Sequence, residues 1–343
     1  MRTSLLAAGA SALLFACGAA SSSAETAPSP SAAPAATTTC DAPRASSSSE
    51  LVVPNGVGDL HGTLLVPSGC GKLAVALLVA GSGPTDRDGN QAGKGARELA
   101  LLAEGLATHG IASLRFDKAG IGASAAAAKP EAELRLGDYV NDVAVLVKTL
   151  RADARFDRVV VVGHSEGSLL GMLALGAADG AGFVSLAGAG RPIADVLREQ
   201  LAAQLTGDLL TEALRITGEL EAGRTVADVP KPLASLFRPS VQPYLISWMK
   251  VAPANAIHDL RAPALIVQGT TDLQVTVDDA RRLHDAKPEA ELAILDGMNH
   301  VLKHATGNLK EQAVSYTDPS LPLADGLVAR IASFVDTLGA TPP

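Results

Sequence analysis

Cysteines, runs of basic residues and long apolar segments are all scarce in this chain of 343 residues. Its three cysteines stand far apart, and no Cys/His cluster has the spacing of metal ligands, so we predict neither a metal site nor a cofactor. A net charge of −8 without a basic run argues against nucleic acid as a partner. No segment is long and apolar enough to cross a membrane, so we predict that any membrane attachment comes from a lipid anchor.

The first twenty residues have the pattern of an export signal. Arg2 supplies the positive start, residues 5–16 form an apolar stretch too short to span a bilayer, and Cys17 follows at once. Leu14-Phe15-Ala16-Cys17 resembles the lipobox of bacterial lipoproteins, which implies that Cys17 becomes the lipidated first residue of the mature chain. Phe15 is atypical at its position, so ordinary signal-peptide cleavage nearby is the alternative. We expect an exported protein of the cell envelope, anchored in a membrane and facing the periplasm or the cell surface.

Residues 18–49 are rich in Ala, Ser, Thr and Pro and contain almost no large apolar side chains. Such a segment buries too little surface to offset its ordering entropy, so we predict a flexible tether in front of a domain over residues 50–343. With Cys17 lipidated, Cys40 and Cys70 remain in a compartment where disulfides persist. Two independent thiols are the alternative, but exposed free thiols are a liability outside the cytoplasm, which favours pairing.

Apolar runs typical of buried strands alternate with helical segments along the domain. The predicted strands cover residues 51–53, 61–66, 73–80, 111–116, 159–162, 182–186, 264–268 and 290–295. The predicted helices cover residues 98–109, 138–150, 165–177, 277–285 and 323–338. This alternation predicts an α/β fold with a mostly parallel central sheet and helices on both faces.

The rhythm breaks between residues 190 and 258, where helical periodicity and several prolines replace the strand signals. We predict a helical cap inserted into the sheet domain. Caps of this kind usually shape the substrate pocket, whereas a plain pair of surface helices is the alternative.

The most informative segment is Gly163-His164-Ser165-Glu166-Gly167. A run of four valines precedes it and a stretch with helical character follows, which is the strand–turn–helix order of a nucleophile elbow. Such a turn presents the serine hydroxyl above the sheet, so the pattern predicts a serine hydrolase with Ser165 as nucleophile. His164 flanks the nucleophile and is predicted to point away from it.

A serine nucleophile needs a histidine as base and a carboxylate that orients the histidine. In enzymes with a nucleophile elbow, the carboxylate follows the serine in the chain and the histidine comes last. Asp272 follows one predicted strand and His300 follows the next, so we predict the triad Ser165, Asp272 and His300. Asp296 and His304 are the rivals, although Asp296 precedes the histidine on the same loop and is better explained as a turn residue.

The oxyanion formed on the attacked carbonyl needs preorganised N–H donors. One is the backbone N–H of Glu166, which follows the nucleophile. The loop after the third strand is the expected source of the other, and there we predict the backbone N–H of Ser82. A glycine-rich connection without a catalytic role is the alternative for this loop.

Five segments together resemble the serine-aminopeptidase-like and dienelactone-hydrolase-like branch of bacterial α/β-hydrolases. They are Gly-Ser-Gly-Pro-Thr-Asp-Arg-Asp-Gly-Asn at 81–90, Arg-Phe-Asp-Lys-Ala-Gly-Ile-Gly-Ala-Ser at 115–124, Gly-His-Ser-Glu-Gly at 163–167, Gln-Gly-Thr-Thr-Asp at 268–272 and Met-Asn-His-Val-Leu-Lys at 298–303. The resemblance implies the α/β-hydrolase fold and the same triad. The chain departs from true dienelactone hydrolases in having Ser rather than Cys at the elbow, and from dehalogenase-type relatives, whose nucleophile is an aspartate.

These observations favour an exported hydrolase of carboxylic esters that takes a small-molecule acyl ester as its substrate. An amidase or aminopeptidase using the same triad is one alternative. An aminopeptidase needs an acidic group for the substrate's ammonium, and the candidates in the predicted cap are Glu199, Glu212, Glu219 and Glu221. A non-catalytic envelope lipoprotein on a hydrolase scaffold is the other alternative.

Overall fold

A computed structural model describes residues 45–69, 71–91 and 95–339 of the chain. The signal sequence, most of the predicted tether, and Cys17, Cys40 and Cys70 lie outside the described residues. The lipidation site and the disulfide therefore stay predictions. Within the described ranges, none of the helices combines the length and the apolar character needed to cross a membrane.

The described part of the chain contains one sheet of eight strands. These are β1 (Ser46–Pro54), β2 (Asp59–Pro67), β3 (Leu73–Val79), β4 (Ala112–Phe116), β5 (Phe156–His164), β6 (Gly182–Leu186), β7 (Ala264–Gly269) and β8 (Glu291–Leu295). Their spatial order is β1-β2-β4-β3-β5-β6-β7-β8. The β1–β2 and β2–β4 pairs are antiparallel and the other five are parallel, which confirms the predicted mostly parallel sheet.

The domain begins earlier than the sequence predicts. β1 starts at Ser46, whereas the tether was predicted to extend to residue 49. Ser46–Ser49 pair with Leu64–Pro67 of β2, although all four serines are exposed. An edge strand is paired through its backbone, so it can form with polar, exposed side chains. Its sequence then lacks the apolar pattern by which strands are predicted.

Eleven α-helices are present in the described part of the chain. They are α1 (Glu98–Thr108), α2 (Leu136–Ala152), α3 (Glu166–Leu175), α4 (Ile193–Gln204), α5 (Gly207–Glu221), α6 (Ala234–Phe237), α7 (Gln242–Met249), α8 (Pro253–His258), α9 (Val277–Ala286), α10 (Leu309–Ser315) and α11 (Leu327–Thr337). Short 3-10 helices cover Gly122–Ala127, Glu131–Glu133 and Lys231–Leu233.

Apolar side chains cover both faces of the sheet. In β3, Val75 and Leu77 belong to one core, which also contains residues of α2 and α3. Ala76 and Leu78 face the opposite core, which contains residues of α1 and α11. Because both faces are buried, the central strands are continuous apolar runs rather than alternating ones.

The segment between β6 and β7 is helical, as predicted for the cap, and carries α4 to α8. Its largest apolar side chains, including Phe237, Tyr244 and Trp248, pack into the same core as one face of the sheet. The cap is therefore continuous with the sheet domain rather than a separate unit. It lies above the edge where β3, β5, β7 and β8 end, which is where loops of such sheets carry functional residues.

Candidate active site

Ser165 occupies a strained turn between β5 and α3. Its φ of 55° and ψ of −118° lie outside the regions that a serine normally adopts. A Cβ added to Gly163 would lie 2.2 Å from the carbonyl oxygen of Gly167, and one added to Gly167 would lie 2.2 Å from that of Val79. Only glycine fits at these two positions, so the strand, the turn and the helix can approach closely enough to expose the serine hydroxyl.

The three residues of the predicted triad meet in one chain of hydrogen bonds. His300 Nε2 lies 3.2 Å from Ser165 Oγ, and His300 Nδ1 lies 2.8 Å from Asp272 Oδ2. The loops that carry Asp272 and His300 can approach each other because Gly269 has no side chain. A Cβ at this position would lie only 1.8 Å from the carbonyl oxygen of Met298. This geometry suits transfer of the serine proton to the imidazole.

Asp272 is held as a carboxylate. Its Oδ1 accepts the backbone N–H groups of Gln274 at 2.7 Å and Val275 at 3.0 Å, and its Oδ2 accepts the side-chain amide of Gln268 at 3.0 Å. Burial alone would raise the pKa of Asp272, but His300 and these hydrogen bonds outweigh it and hold the pKa below its ordinary value. A negative Asp272 fixes the tautomer of His300 that leaves Nε2 free to accept a proton.

Neither rival reaches the site. Asp296 is exposed and accepts a hydrogen bond from Thr270 Oγ1 at 2.9 Å, as expected of a turn residue. His304 is also exposed and packs over Gly297. The structure thus groups Asp272 and His300 with Ser165, and leaves Asp296 and His304 outside.

The two predicted oxyanion donors flank the nucleophile. Ser82 follows β3 and Glu166 opens α3, and both residues line the space in front of Ser165. The loop before Ser82 lies close to the elbow, since a Cβ on Gly81 would be 3.2 Å from Ser165 Cβ. The placement is compatible with an oxyanion hole, whose donors remain a prediction.

His164, next to the nucleophile in the chain, contacts His300 and makes no hydrogen bond to Ser165 among the described residues. Its Nε2–H donates to the backbone carbonyl oxygen of His300 at 2.7 Å, and the two rings lie 5.0 Å apart. Burial, together with the neighbouring His300, lowers the pKa of His164 to about 3, so the ring is neutral at neutral pH. His164 therefore acts as a positioning residue that fixes the backbone of His300.

A buried network that the sequence analysis missed connects three parts of the site. Lys118 Nζ donates to Glu166 Oε2 at 2.7 Å and to the carbonyl oxygen of Gly81 at 2.6 Å. The hydroxyl of Tyr244 on α7 donates to Glu166 Oε1 at 2.6 Å. The network thus joins the loop of Ser82, the helix behind the nucleophile and the cap.

The charged residues of the segments 81–90 and 115–124 hold these two loops together. Arg87 Nη2 pairs with Asp117 Oδ2 at 2.8 Å, and the backbone N–H of Arg87 donates to Asp117 Oδ1 at 2.8 Å. Arg115 Nε donates to Asp88 Oδ1 at 2.9 Å. Charge-assisted pairs of this kind fix the position of the Ser82 loop, so the role of these motifs is structural.

Two clefts open on the nucleophile, and both are bordered by Ser82, Ser165, Gln274 and His300. The cap cleft extends under the cap, and its further lining includes Leu169, Ile193, Val196, Trp248 and Val275. The loop cleft extends over the start of α1, has a volume of about 470 Å³ including its mouth, and has further lining from Thr85, Gln91, Glu98, His164 and Tyr316.

The sheet order, the elbow and the acid and histidine on later loops define an α/β-hydrolase. The chain belongs to the α/β hydrolase family, whose sequence model matches residues 76–305. This confirms the resemblance and the fold predicted from the five segments.

One relative is esterase EstD of Thermotoga maritima, with 26% identity over 266 residues, which is 76% of this chain and 61% of that protein. The chain thus spans about three fifths of this relative's length. Similar structures include Est1E of Butyrivibrio proteoclasticus with bound ferulic acid (TM-score 0.55, 16% identity, 83% of this chain and 96% of that one). Proline iminopeptidase of Mycobacterium smegmatis is similar too (TM-score 0.53, 16% identity, 84% and 98% coverage). At such identities the two structures share the fold alone.

Proposed function

We propose that the protein is an exported serine hydrolase that cleaves carboxylic esters through an acyl-enzyme. The observation that carries the proposal is the hydrogen-bonded chain from Ser165 through His300 to Asp272, with distances of 3.2 and 2.8 Å. The esterase named among its relatives supports an ester as substrate. An intact set of three groups also argues against a scaffold kept only for binding.

In the first half-reaction, Ser165 Oγ attacks the ester carbonyl carbon while its proton passes to His300 Nε2. The carbonyl oxygen becomes an oxyanion, for which the backbone N–H groups of Ser82 and Glu166 are the proposed donors. The intermediate collapses when the bond to the leaving oxygen breaks and His300 returns its proton to the departing alcohol.

In the second half-reaction, water attacks the acyl-enzyme and His300 accepts its proton. The bond between the acyl carbon and Ser165 Oγ then breaks, the proton returns to Ser165, and the carboxylic acid leaves. Asp272 stays ionised throughout, because its role is to stabilise the imidazolium that forms twice per cycle.

The cap carboxylates do not favour the aminopeptidase alternative. Each forms an ion pair with an arginine, and these pairs are partly exposed to solvent. They are Glu199–Arg191, Glu212–Arg215, Glu219–Arg224 and Glu221–Arg198. Carboxylates already paired in this way are poorly placed to receive the ammonium of a substrate. Because proline iminopeptidase shares the fold, the choice between ester and peptide still has to be made by experiment.

The test of the reaction class combines covalent labelling with a substrate panel. A fluorophosphonate probe should label the wild type and not Ser165→Ala, while the matched variant Ser235→Ala on the exposed surface of the cap keeps its labelling. p-Nitrophenyl esters should be hydrolysed and aminoacyl anilides should not. Equal labelling of the wild type and Ser165→Ala, or preferential cleavage of anilides, contradicts the proposal.

Export and lipidation are part of the proposal and rest on the amino-terminal sequence. We expect incorporation of an alkyne-tagged fatty acid into the wild type and none into Cys17→Ser, with Cys40→Ser as the matched control. Incorporation that survives Cys17→Ser would instead place the lipid elsewhere, and its absence from the wild type would favour ordinary signal-peptide cleavage.

A further inference from the structure

Glu98 brings a carboxyl group into the loop cleft. It is the first residue of α1 and lines this cleft together with Ser165 and His300. Its carboxyl lies against Gly89, where an added Cβ would be only 2.4 Å from Glu98 Cδ. Gly89 has a φ of +95°, which favours glycine, so the backbone of this loop leaves room for the carboxyl.

The Glu98 side chain is buried without a complete set of hydrogen bonds. The residue is 2% exposed, and its Oε2 has no hydrogen-bond partner among the described residues. The neighbouring loop carboxylates differ, since Asp86 accepts from the backbone N–H of Asn90 and Asp88 accepts from Arg115. A buried polar atom without a partner is costly, and this one belongs to a residue of the cleft that Ser165 and His300 also line, so it points to a ligand.

Charge distinguishes between the ligands that suit this carboxyl. Burial raises the pKa of Glu98 to about 8, with Asp86 and Asp88 adding to the rise and Lys303 opposing it. Lys303 does not neutralise the group by contact, because its Nζ donates to the carbonyl oxygen of Asp318 at 2.7 Å. At neutral pH the side chain is therefore a carboxylic acid, which both donates and accepts a hydrogen bond.

Amides and hydroxyls also line the loop cleft. Gln91 Nε2 donates to Thr85 Oγ1 at 2.8 Å, and Gln274 Nε2 donates to the hydroxyl oxygen of Tyr316 at 2.5 Å. A wall of amides, hydroxyls and one neutral carboxyl matches a ligand group that is neutral and able to both donate and accept. A hydroxyl group has this property, whereas an ammonium group donates only.

We propose that Glu98 forms a polar subsite of the loop cleft that binds a hydroxyl group on the ester substrate. This inference rests on the proposed ester-hydrolase function, and it assigns a specificity-determining role to Glu98. The bond chemistry stays with Ser165 and His300, while Glu98 selects the substrates that these residues receive.

The test uses ester pairs that differ only by a terminal hydroxyl in place of a methyl group. 2-Hydroxyethyl butyrate and propyl butyrate form the pair for the alcohol side, and ethyl 6-hydroxyhexanoate and ethyl heptanoate the pair for the acyl side. We expect kcat/KM of the wild type to favour the hydroxyl member of at least one pair by about tenfold, as for one buried hydrogen bond. Glu98→Leu should abolish this preference, and Glu98→Gln, which still donates and accepts, should keep most of it.

Three results would overturn the subsite. One is the absence of a hydroxyl preference in the wild type, and another is an equal change in kcat/KM for both members of each pair in Glu98→Leu, which marks a structural role. The third is a preference for 2-(dimethylamino)ethyl butyrate over 3-methylbutyl butyrate that Glu98→Gln abolishes, because that pattern marks a cation site. Glu104→Leu, on the exposed face of the same helix, is the matched control.

A binding measurement separates failure of the subsite from failure of the proposed function. Ser165→Ala should bind the hydroxyl esters more tightly than their methyl counterparts, as seen by thermal shift, and Ser165→Ala/Glu98→Leu should not. Selective binding without any hydrolysis by the wild type would support the subsite and reject the esterase function. Hydrolysis of the esters without selective binding would support the esterase function and reject the subsite.

Discussion

The two clefts that meet at Ser165 differ in both origin and chemistry. The cap cleft takes apolar side chains from α3, α4 and α7, such as Leu169, Ile193 and Trp248, and also borders on the polar Arg191 and Gln200. The loop cleft takes polar ones from the Ser82 loop, the start of α1 and the end of α10, such as Thr85, Glu98 and Tyr316. A substrate that spans both clefts would therefore contact different elements of the fold on either side of its ester bond.

This difference separates two kinds of change in the molecule. Residues of the triad and of the Lys118 network serve both clefts, so altering them should affect all substrates alike. Residues that line one cleft should change only the preference for the part of the substrate bound there.

Asp272→Asn should lower kcat by about 10⁴-fold for every ester, because an amide in this place favours the wrong tautomer of His300. Steady-state kinetics with the ester pairs should show the same factor on both members. Asp296→Asn changes the exposed carboxylate on the neighbouring loop and is the matched control, with activity retained. A loss confined to one member of a pair would show that Asp272 contacts substrate rather than His300.

Lys118→Met should destabilise the fold by about 3–5 kcal/mol, because it leaves the buried carboxylate of Glu166 without its counter-charge. It should also lower kcat for both clefts' substrates, since the Gly81 carbonyl loses its bond to Lys118 Nζ. Lys118→Met/Glu166→Gln removes both charges and should recover part of the free energy of unfolding measured in urea. If the loss of stability in the double variant equals the sum of the losses in Lys118→Met and Glu166→Gln, the two residues are not coupled.

The fold and the grouping of Ser165, Asp272 and His300 were accessible from the sequence because their signals are local. The valine run before Ser165 marks a buried strand, Asp272 lies in the loop after the buried β7, and His300 lies in the loop after β8, which is only partly buried. Parallel strands place their carboxyl ends at one edge, so three distant loops had to meet. In the same way, a helical period with repeated prolines was sufficient to predict the cap between β6 and β7.

The features that escaped prediction depend on contacts between residues far apart in the chain. Lys118 lies 48 residues from Glu166, and Tyr244 lies 78 residues from it, so only the folded topology brings them together. The contact between the His164 ring and the backbone of His300 likewise joins residues 136 positions apart. Glu98 gave no signal either, because an acidic residue at the start of a helix is ordinary until its burial is known.

Glu98→Gln should reduce the pH dependence of the folding stability, because it removes a buried carboxyl group that titrates. Because the pKa of Glu98 rises to about 8 on folding, the folded chain holds this proton more tightly than the unfolded chain does. The tighter binding of this proton stabilises the fold by an amount on the order of a few kcal/mol. This stabilisation is fully present below the ordinary carboxyl pKa and is lost as the pH rises towards 8. Denaturation in urea at pH 5 and pH 8 should show a smaller loss of stability in Glu98→Gln than in the wild type.

Glu104→Gln is the matched control for this experiment, since Glu104 is exposed on the same helix. It should lose as much stability between the two pH values as the wild type. Equal losses in all three proteins would mean that Glu98 titrates like an ordinary carboxyl and that the loop cleft holds a charge at neutral pH.

Trp248→Leu should alter the cap cleft alone, and with the smallest effect. The side chain is buried and lines this cleft beside Ile193, so a smaller residue leaves room for a longer apolar group. We expect kcat/KM for long-chain relative to short-chain p-nitrophenyl esters to rise by about tenfold, as for one or two methylenes in an apolar pocket. The hydroxyl preference set by Glu98 should stay unchanged. Leu236→Ala, elsewhere in the cap, is the matched control, and a hydroxyl preference that moves with Trp248 would show that the two clefts do not act independently.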